Sequence, residues 1–184
     1  MKKYGPKRIL EHFNSSSVDL MNAWESVKKI EEVKDLHSFA SGVSTIVFHA
    51  QDKNKVICLS VDYAKVLYLK EIKELVGFKF IRFADYEFCG KVEFALIYEM
   101  DLMSEITYEE GLFVADIDQE DIDGIESLLE DSDFLIDFNS IYKISNKKHL
   151  PDCKFDIHPG QFLVDKITKS TICIDPILSK NVYI

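Results

Sequence analysis

Two short apolar runs in the last quarter of the chain constrain its fold more than any other feature. Phe162 to Asp165 and Thr171 to Ile174 are rich in branched residues, and Lys166 to Ser170 between them is polar enough to turn the chain. This pattern predicts a β-hairpin. Its ladder would place Gln161 at the start of one strand and Asp175 just past the end of the other.

Oxygen-bearing side chains flank this predicted hairpin at defined spacings. Asp156 is followed five positions on by Gln161 and nineteen positions on by Asp175. Phosphoryl transfer needs one group that orients the attacking hydroxyl and groups that hold magnesium on the phosphates. Magnesium prefers oxygen ligands and keeps several waters, so one carboxylate, one amide oxygen and nucleotide phosphates are a sufficient set. We interpret Asp156 as the catalytic residue and Asp175 and Gln161 as metal ligands.

The same segment has a simpler interpretation. Asp156-Ile157-His158-Pro159-Gly160 is typical of an ordinary turn, in which Asp156 caps backbone amides and the Pro-Gly pair supplies the bend. Each residue taken singly is compatible with either interpretation. The combination of Asp156, Pro159, Gln161, the hairpin and Ile174-Asp175 favours phosphotransfer.

Length and composition indicate a globular protein. A chain of 184 residues fits one domain or two small lobes, and 47% of its residues are hydrophobic. No apolar run approaches the ~20 residues of a membrane span, and the basic start Met1-Lys2-Lys3 is not followed by a secretory apolar core. The four cysteines show no Cys-x-x-Cys pairing, which indicates reduced thiols. We therefore expect a cytoplasmic protein without a membrane association.

The negative net charge of the chain limits which classes of macromolecule it can bind. A formal net charge of −10 argues against nucleic acid as a partner, because binding to phosphate backbones depends on a basic surface. A basic protein surface remains compatible with this charge.

The chain divides by pattern into three parts: a helical N-terminal extension over 1–35, a strand-rich part over 36–100 and a final part over 101–184. The first contains a possible short helix over Lys7 to Phe13 and a second helix from about Leu20 to Val33. The second contains strands around Thr45 to Phe48, 55–61, 78–86 and 92–98, with a helix over 62–76 closed by Gly77. The acidic run from Asp116 to Asp123 resembles a calcium loop, but its glycine lies at 124 rather than at 121, so we interpret it as a solvated helix start.

This order of elements, strand, turn, strand, helix, two strands, acidic linker, helix, catalytic loop and hairpin, resembles that of the protein-kinase-like superfamily. Phe39 to Phe48 is similar to the kinase phosphate loop, with Gly42 retained, and Tyr98-Glu99-Met100 looks like the hinge that binds adenine. Asp156 and Gln161 match the catalytic Asp and metal-binding Asn, and Asp175-Pro176 stands where Asp-Phe-Gly is usual. The chain is most similar to small Ser/Thr kinases of lytic phages and to minimal kinase effectors of bacterial pathogens.

The resemblance implies an α+β, kinase-like two-lobe fold with an antiparallel N-lobe sheet and a truncated, mostly helical C-lobe. Because nine residues follow Asp175, the activation segment and later helices are expected to be missing. ATP and Mg²⁺ or Mn²⁺ are the implied cofactors, and a host protein in the host cytoplasm is the implied partner. The implied ATP-binding residues are Ser41, Gly42, Val43, Ser44, Cys58, Lys65, Glu99 and Met100.

Two substitutions depart from the family pattern. Cys58 stands where the family has the lysine that steadies the α- and β-phosphates, and a neutral thiol cannot replace a point charge. We hypothesise that Lys65, early in the following helix, carries this charge instead, although a solvated surface lysine is the simpler interpretation. Gln161 replaces asparagine, and its extra methylene moves the amide oxygen by more than ~1 Å, which puts the second metal position in doubt.

Three functions are compatible with these residues. The first is a minimal ATP-dependent Ser/Thr protein kinase that acts on host proteins and, in one form of this interpretation, also phosphorylates itself. The second is a pseudokinase, a binding module that inhibits or recruits a host protein without phosphotransfer. The third is a small-molecule phosphotransferase, which we place last because such enzymes carry a large helical lobe. The pattern does not indicate an oligomeric state.

Overall fold

The computed structural model describes residues 17–41, 44–88, 90–107, 134–145, 153–155 and 157–179. These residues form an α+β structure that divides into two compact units. The first unit contains the described residues up to 63 and from 77 to 101, and the second contains 64–76 and the described residues from 102 onward. The short N-terminal helix predicted over Lys7 to Phe13 and the acidic run from Asp116 to Asp123 lie outside the described residues.

An antiparallel sheet of five strands forms the centre of the first unit. Its strands are β1 (Ser38–Ser41), β2 (Thr45–His49), β3 (Lys55–Ser60), β4 (Lys79–Phe88) and β5 (Lys91–Asp101). Their spatial order is β1-β2-β3-β5-β4, so β4 and β1 are the edges. The predicted pairing of β2 with β3 is confirmed, with Val47 opposite Cys58. At the turn between them, the backbone N–H of Asn54 donates to the Asp52 carboxylate at 2.9 Å.

The two inner strands are buried along most of their length. All residues from Val56 to Ser60 on β3 and from Ala95 to Tyr98 on β5 are buried. A short apolar run of this kind is typical of a strand that is covered on both faces. These runs therefore provide the centre of the first unit's core.

The first helix of the structure, α1 (Ser17–Val27), packs on one face of this sheet. Ala23 and Val27 recur at helical spacing, and Ile30 and Val33 in the turns that follow continue the apolar surface. Their buried partners on the sheet are Ile46, Phe48, Ile57, Leu59, Ala84, Tyr86, Ala95 and Ile97. Burial of each large apolar side chain contributes about 1.5–3 kcal/mol, so this helix belongs to the same compact unit as the strands.

Polar contacts fix α1 and the turns after it to strand β4. The Ser26 hydroxyl accepts the backbone N–H of Glu87 at 2.8 Å. Arg82 donates Nε and Nη2 to the two carboxylate oxygens of Glu32 at 2.5 and 2.7 Å. The hydrogen bond from Arg82 lowers the pKa of Glu32 against the opposing effect of burial. These contacts align the helix with the edge strand.

The helix predicted over 62–76 is present as two short helices, α2 (Tyr63–Glu71) and α3 (Lys73–Val76). Gly77 follows with φ of +59°, the left-handed conformation that favours glycine at the end of a helix. A Cβ at this position would overlap the carboxylate of Asp101. That carboxylate binds Lys55 Nζ at 2.6 Å, so the glycine leaves room for an ion pair.

The second unit contains short strands and few helices among its described residues after 101. The elements are β6 (Ser104–Glu105), β7 (Phe134–Leu135), α4 (Phe138–Ser145), β8 (Cys153–Phe155), β9 (Phe162–Val164), β10 (Thr171–Cys173) and β11 (Ile177–Ser179). One sheet has the order β6-β9-β10-β7, and β8 pairs with β11. The resemblance implied a mostly helical lobe, and the described part of this unit combines the helices α2, α3 and α4 with the short strands β6 to β11.

The α-helices of the described ranges are all too short or too polar to cross a membrane.

Candidate functional site

The predicted hairpin is confirmed in the second unit. Strands β9 and β10 are antiparallel, with Phe162 opposite Cys173. The backbone N–H of Ile174 donates to the carbonyl of Gln161 at 2.8 Å, which extends the ladder by one step. Gln161 is therefore fixed beside the residue that precedes Asp175, as the spacing of the apolar runs predicted.

An aspartate organises the turn of this hairpin. Asp165 Oδ1 accepts hydrogen bonds from the backbone N–H groups of Ile167 and Thr168 at 3.0 and 2.6 Å, and from the Thr168 hydroxyl at 2.9 Å. The hydrogen bond from the Thr168 amide is the main reason why the pKa of Asp165 lies below its ordinary value. Lys169 adopts a φ of +65° and closes the turn with a backbone hydrogen bond to Asp165. The turn thus fixes the register of the ladder.

Strands β8 and β11 form a second pair, which adjoins Asp156 and Asp175 in the sequence. Phe155 on β8 lies opposite Ile177 on β11, two residues after Asp175. Asp156, the predicted catalytic residue, lies outside the described residues. Ile157, which follows it, is fully buried and anchors the segment that leads to the hairpin.

His158 caps the short segment before the hairpin. Pro159–Gln161 forms one turn of 3₁₀-helix, in which the Gly160 N–H donates to His158 Nδ1 at 3.1 Å. The simpler interpretation of this segment expected Asp156 to cap the turn, and the structure assigns a cap to the histidine. A histidine two residues before a glycine was the available signal, but this cap also depends on the backbone angles of Pro159 and Gly160.

The side chain of Gln161 contacts the same histidine. His158 Nε2 lies 2.9 Å from the amide nitrogen of Gln161. Because Nδ1 already accepts from Gly160, Nε2 carries the proton of the neutral ring. A hydrogen bond to Gln161 then requires the amide to present its oxygen, an orientation that is assigned from the network of contacts. The group predicted as a metal ligand is therefore engaged by a neighbour that the sequence interpretation did not include.

Lys65 and Asp175 form the most buried ion pair of the described residues. Lys65 Nζ donates to Asp175 Oδ2 at 2.8 Å, and the two side chains are 10% and 12% exposed. The residues are 110 positions apart in the sequence. The predicted metal ligand and the lysine predicted to carry the relocated charge are thus in direct contact within one unit.

Two further contacts hold α2 within this unit. Tyr68, three residues after Lys65, accepts the backbone N–H of Asp137 on its hydroxyl at 3.1 Å. Burial raises the pKa of the Tyr68 phenol well above its ordinary value. Asp137 also caps α4 by accepting the N–H and hydroxyl of Ser140 at 3.0 and 2.6 Å. Lys143 on α4 pairs with Glu71 on α2 at 2.9 Å, so α2 and α4 are fixed side by side.

The predicted phosphate loop falls partly outside the described residues. Gly42 and Val43 are outside them, and Ser41 is described only as the last residue of β1. Ser44 is buried, and its carbonyl accepts the backbone N–H of Val61 at 2.9 Å and the Ser60 hydroxyl at 3.2 Å.

A cluster of buried polar residues that the sequence interpretation missed adjoins Ser44. The Thr45 hydroxyl donates to the Ser60 hydroxyl at 2.9 Å, and the backbone N–H of Asp62 donates to the same oxygen at 3.1 Å. These hydrogen bonds join the start of β2 to the end of β3, next to the predicted phosphate loop. Small polar residues at the ends of two paired strands were the available signal.

The remaining predicted ATP-binding residues lie in the five-stranded sheet of the first unit. Cys58 is buried in the middle of β3 between Val47 and Tyr98, so its thiol is a core group. Glu99 on β5 has a partner residue on each side, Ile57 and Lys79, and Met100 pairs with Val56. The contact of Glu99 and Met100 with adenine stays a prediction.

The predicted metal ligands in the described ranges are the two side chains Asp175 and Gln161. Those ranges contain no group of three or more His, Cys, Asp or Glu side chains that could hold a metal ion. Asp175 and Gln161 match magnesium by donor type, since they offer a carboxylate and an amide oxygen. Magnesium held by these two side chains would therefore also need nucleotide phosphates and water as ligands.

Comparisons of this chain with protein-family models, with curated proteins and with solved structures find no match.

Proposed function

We propose that this chain is a minimal ATP-dependent Ser/Thr protein kinase with a kinase-like two-lobe fold, acting on host proteins. In this proposal Asp156 orients the acceptor hydroxyl, and Asp175 with Gln161 holds the metal. Lys65 supplies the positive charge that Cys58 cannot. Ser41, Gly42, Val43 and Ser44 cover the phosphates, and Glu99 and Met100 contact adenine.

The buried contact between Lys65 and Asp175 is the observation that carries this proposal. A buried ion pair contributes little net stability compared with a well-packed apolar pair, because both charges lose their hydration. Buried charges in contact are common at functional sites, where their attraction for a ligand outweighs this loss. Phosphoryl transfer needs a positive charge at the nucleotide phosphates and a carboxylate that holds the metal ion, and these two groups adjoin here.

The position of Asp175 adds to this support. It follows Ile174, whose N–H is bonded to Gln161, and it precedes β11, whose first residue Ile177 pairs with Phe155. Asp156 is covalently attached to Phe155, and consecutive Cα atoms are about 3.8 Å apart. In the sequence, the predicted catalytic residue thus directly follows the strand residue that is paired with Ile177.

The order of the described elements also supports a kinase-like fold. Strands β2 and β3, the helices α2 and α3, and strands β4 and β5 follow one another as the resemblance implies, and the β9–β10 hairpin comes after them. The helix predicted after the acidic run lies almost wholly outside the described residues. Magnesium bound at Asp175 would neutralise charge on the transferred phosphoryl group. For this role the amide of Gln161 has to turn from His158 toward the metal.

A pseudokinase is the second candidate, and a specific observation favours it. Cys58 is buried among the core residues of the sheet, so the family's lysine position is occupied by a packing group. A binding module of this type would retain the fold and lack phosphotransfer.

Labelled ATP distinguishes the two candidates. The chain is incubated with γ-labelled ATP and Mg²⁺ or Mn²⁺, alone and with a basic protein as acceptor. We expect label on the parent and on the exposed control Asp35→Asn, and none on Asp156→Asn, because only Asp156 orients the hydroxyl. Absence of label from all three proteins with either metal would contradict the kinase.

A thermal shift then tests nucleotide binding without turnover. A ligand at 100 times its Kd adds about 2.7 kcal/mol to the free energy of unfolding. We expect Mg-ATP to raise the Tm of the parent and of Lys70→Met, a control on the exposed side of α2, and to raise that of Lys65→Met much less. An equal rise in all three would remove Lys65 from the site.

A further inference from the structure

Four large apolar side chains are exposed on the β4–β5 hairpin of the first unit. Phe80, Phe83, Val92 and Phe94 are 41%, 55%, 64% and 63% exposed. The rings of Phe80 and Phe83 are in edge contact, with centroids 5.3 Å apart. We call these four residues the aromatic face.

The strand register places these residues on one side of the sheet. Phe80 lies opposite Tyr98 and Phe83 opposite Leu96, while Phe94 and Val92 continue the same alternation along β5. The opposite side carries Ala84, Tyr86, Ala95 and Ile97, which pack with α1. The aromatic face is thus the side of the hairpin that α1 does not cover.

The exposed apolar area is comparable with the largest patch on a typical monomer. An aromatic side chain presents roughly 200 Å², so the three phenylalanines alone expose on the order of 300 Å². Apolar patches of about 300–600 Å² are the largest on typical monomers and are often binding sites.

The charges beside this face identify the chemistry of its partner. Asp85 lies opposite Phe94 and Glu87 opposite Val92, so two exposed carboxylates alternate with the apolar side chains on the same side. A partner that combines apolar anchors with Lys or Arg would pair with both, and its cations could also stack on the phenylalanine rings. A second copy of this chain fits poorly, since it would bring the same carboxylates together on a protein of net charge −10.

The edge of β4 favours binding by side chains over addition of a strand. An edge strand can recruit another strand through its unpaired backbone groups. Here the Phe83 carbonyl accepts from Arg82 Nη1 at 3.0 Å, and the Glu87 N–H donates to Ser26 at 2.8 Å. These contacts occupy backbone positions that a new strand would need.

We propose that the aromatic face is a docking surface for a lysine- or arginine-rich amphipathic segment of a partner protein. This inference does not depend on phosphotransfer, so it holds for a kinase and for a pseudokinase.

The test uses a synthetic amphipathic helical peptide of Leu, Trp and Lys, with fluorescence anisotropy at about 150 mM NaCl. Peptides in which Glu replaces Lys, or Ser replaces Leu and Trp, are the probe controls. Of the three peptides, we expect only the Leu/Trp/Lys peptide to bind, with a Kd in the micromolar range. Phe94→Ser should weaken it by about tenfold or more, as loss of a central aromatic anchor does.

Charge reversals on the two sides of the β4–β5 hairpin distinguish two attractions for the cationic peptide: that of the carboxylates on the aromatic face and that of the net negative charge of the protein. Asp85→Lys removes a carboxylate from the aromatic face, and Glu93→Lys makes the same change on the side of Tyr86. We expect Asp85→Lys to weaken binding by about tenfold and Glu93→Lys by less than about twofold, because screened charges act over roughly 8 Å at this ionic strength. Equal effects of the two variants would overturn the proposal.

Amide chemical shifts of the parent on titration locate the peptide without any substitution. Shifts confined to β4 and β5 support the aromatic face, and shifts elsewhere overturn it. Sedimentation of the parent and of Phe94→Ser tests whether a second copy of this chain occupies the aromatic face instead. A parent dimer that dissociates in Phe94→Ser would assign the face to that second copy and overturn the proposal.

Discussion

At the scale of single residues, the pairing of Lys65 with Asp175 has the largest consequences. Removal of one partner leaves a charge buried without compensation, which destabilises proteins by about 3–5 kcal/mol, whereas removal of both is often close to neutral. We therefore expect Lys65→Met to lower the free energy of unfolding by several kcal/mol in urea denaturation. The double variant Lys65→Met/Asp175→Leu should lose less than Lys65→Met alone.

An exposed ion pair between the same helix, α2, and α4 is the matched control. Lys143 and Glu71 are 2.9 Å apart, with side chains 59% and 31% exposed. Because exposed pairs contribute about 0–1 kcal/mol, Lys143→Met should have a small effect. The losses in free energy of unfolding of the two single variants can be summed and compared with the loss of the double variant. If the two values agree within about 0.5 kcal/mol, Lys65 and Asp175 are not coupled.

The carboxylate of Asp165 should make the hairpin sensitive to acid. Its hydrogen bonds hold the pKa below the ordinary value of 3.8. A folded-state pKa that is lowered contributes stability above the unfolded value, and this contribution is lost as pH falls through the folded pKa. We expect Asp165→Ala to be less stable than the parent by about 1 kcal/mol at pH 7, since the group is partly exposed.

This difference between parent and variant should shrink below pH 3.8, the ordinary value. Urea unfolding at a series of pH values measures it. Asp165→Asn keeps an oxygen acceptor but does not titrate, so its stability relative to Asp165→Ala should not change across the same range. A parent advantage that persists in strong acid would contradict the role of the carboxylate.

At the scale of elements, two glycines with similar backbone angles are expected to differ. Gly77 and Gly90 have φ of +59° and +72°. Alanine in this conformation costs about 1–2 kcal/mol at either position. Only at Gly77 would the new Cβ overlap the Asp101 carboxylate, whereas at Gly90 nothing lies within 4 Å.

We therefore expect Gly77→Ala to lower the free energy of unfolding by roughly 1–3 kcal/mol more than Gly90→Ala, the range for steric overpacking. Thermal or urea unfolding of both variants measures the difference. If the two variants are equally stable, Asp101 and its partner Lys55 can move away from position 77 without loss.

Elements formed by neighbouring residues were predicted well. The hairpin of β9 and β10 follows from two branched runs and a polar turn, and the helices before Gly77 follow from helical spacing and a terminal glycine. The capping of the loop by His158 was missed, because its acceptor role depends on the backbone angles of Pro159 and Gly160. The strands β8 and β11 were also missed, since each has three residues and their partners lie far apart in sequence.

At the scale of the whole molecule, charge is the dominant property. The chain has 32 Asp and Glu residues and 22 Lys and Arg residues, so repulsion between carboxylates opposes the folded state. The Debye length falls from about 30 Å at 0.01 M salt to about 3 Å at 1 M. We expect the Tm at pH 7 to rise between about 10 mM and 300 mM NaCl.

The same salt series at pH 5 is the control, because this pH is close to the sequence pI of about 5.0. There the repulsion is small and the rise in Tm should disappear. A Tm at pH 7 that falls steadily with salt would mean that ion pairs such as Arg82–Glu32 outweigh the repulsion.

Sequence patterns by themselves determined the local helices and strands and the types of side chain at the candidate site. Periodicity, turn residues and charge are properties of neighbouring positions. The tertiary structure alone decided that Lys65 contacts Asp175 and that the aromatic face is exposed. The reason is physical. Contacts between distant residues depend on how strands and helices pack, and the energy of a charge or an apolar ring depends on the burial that this packing creates.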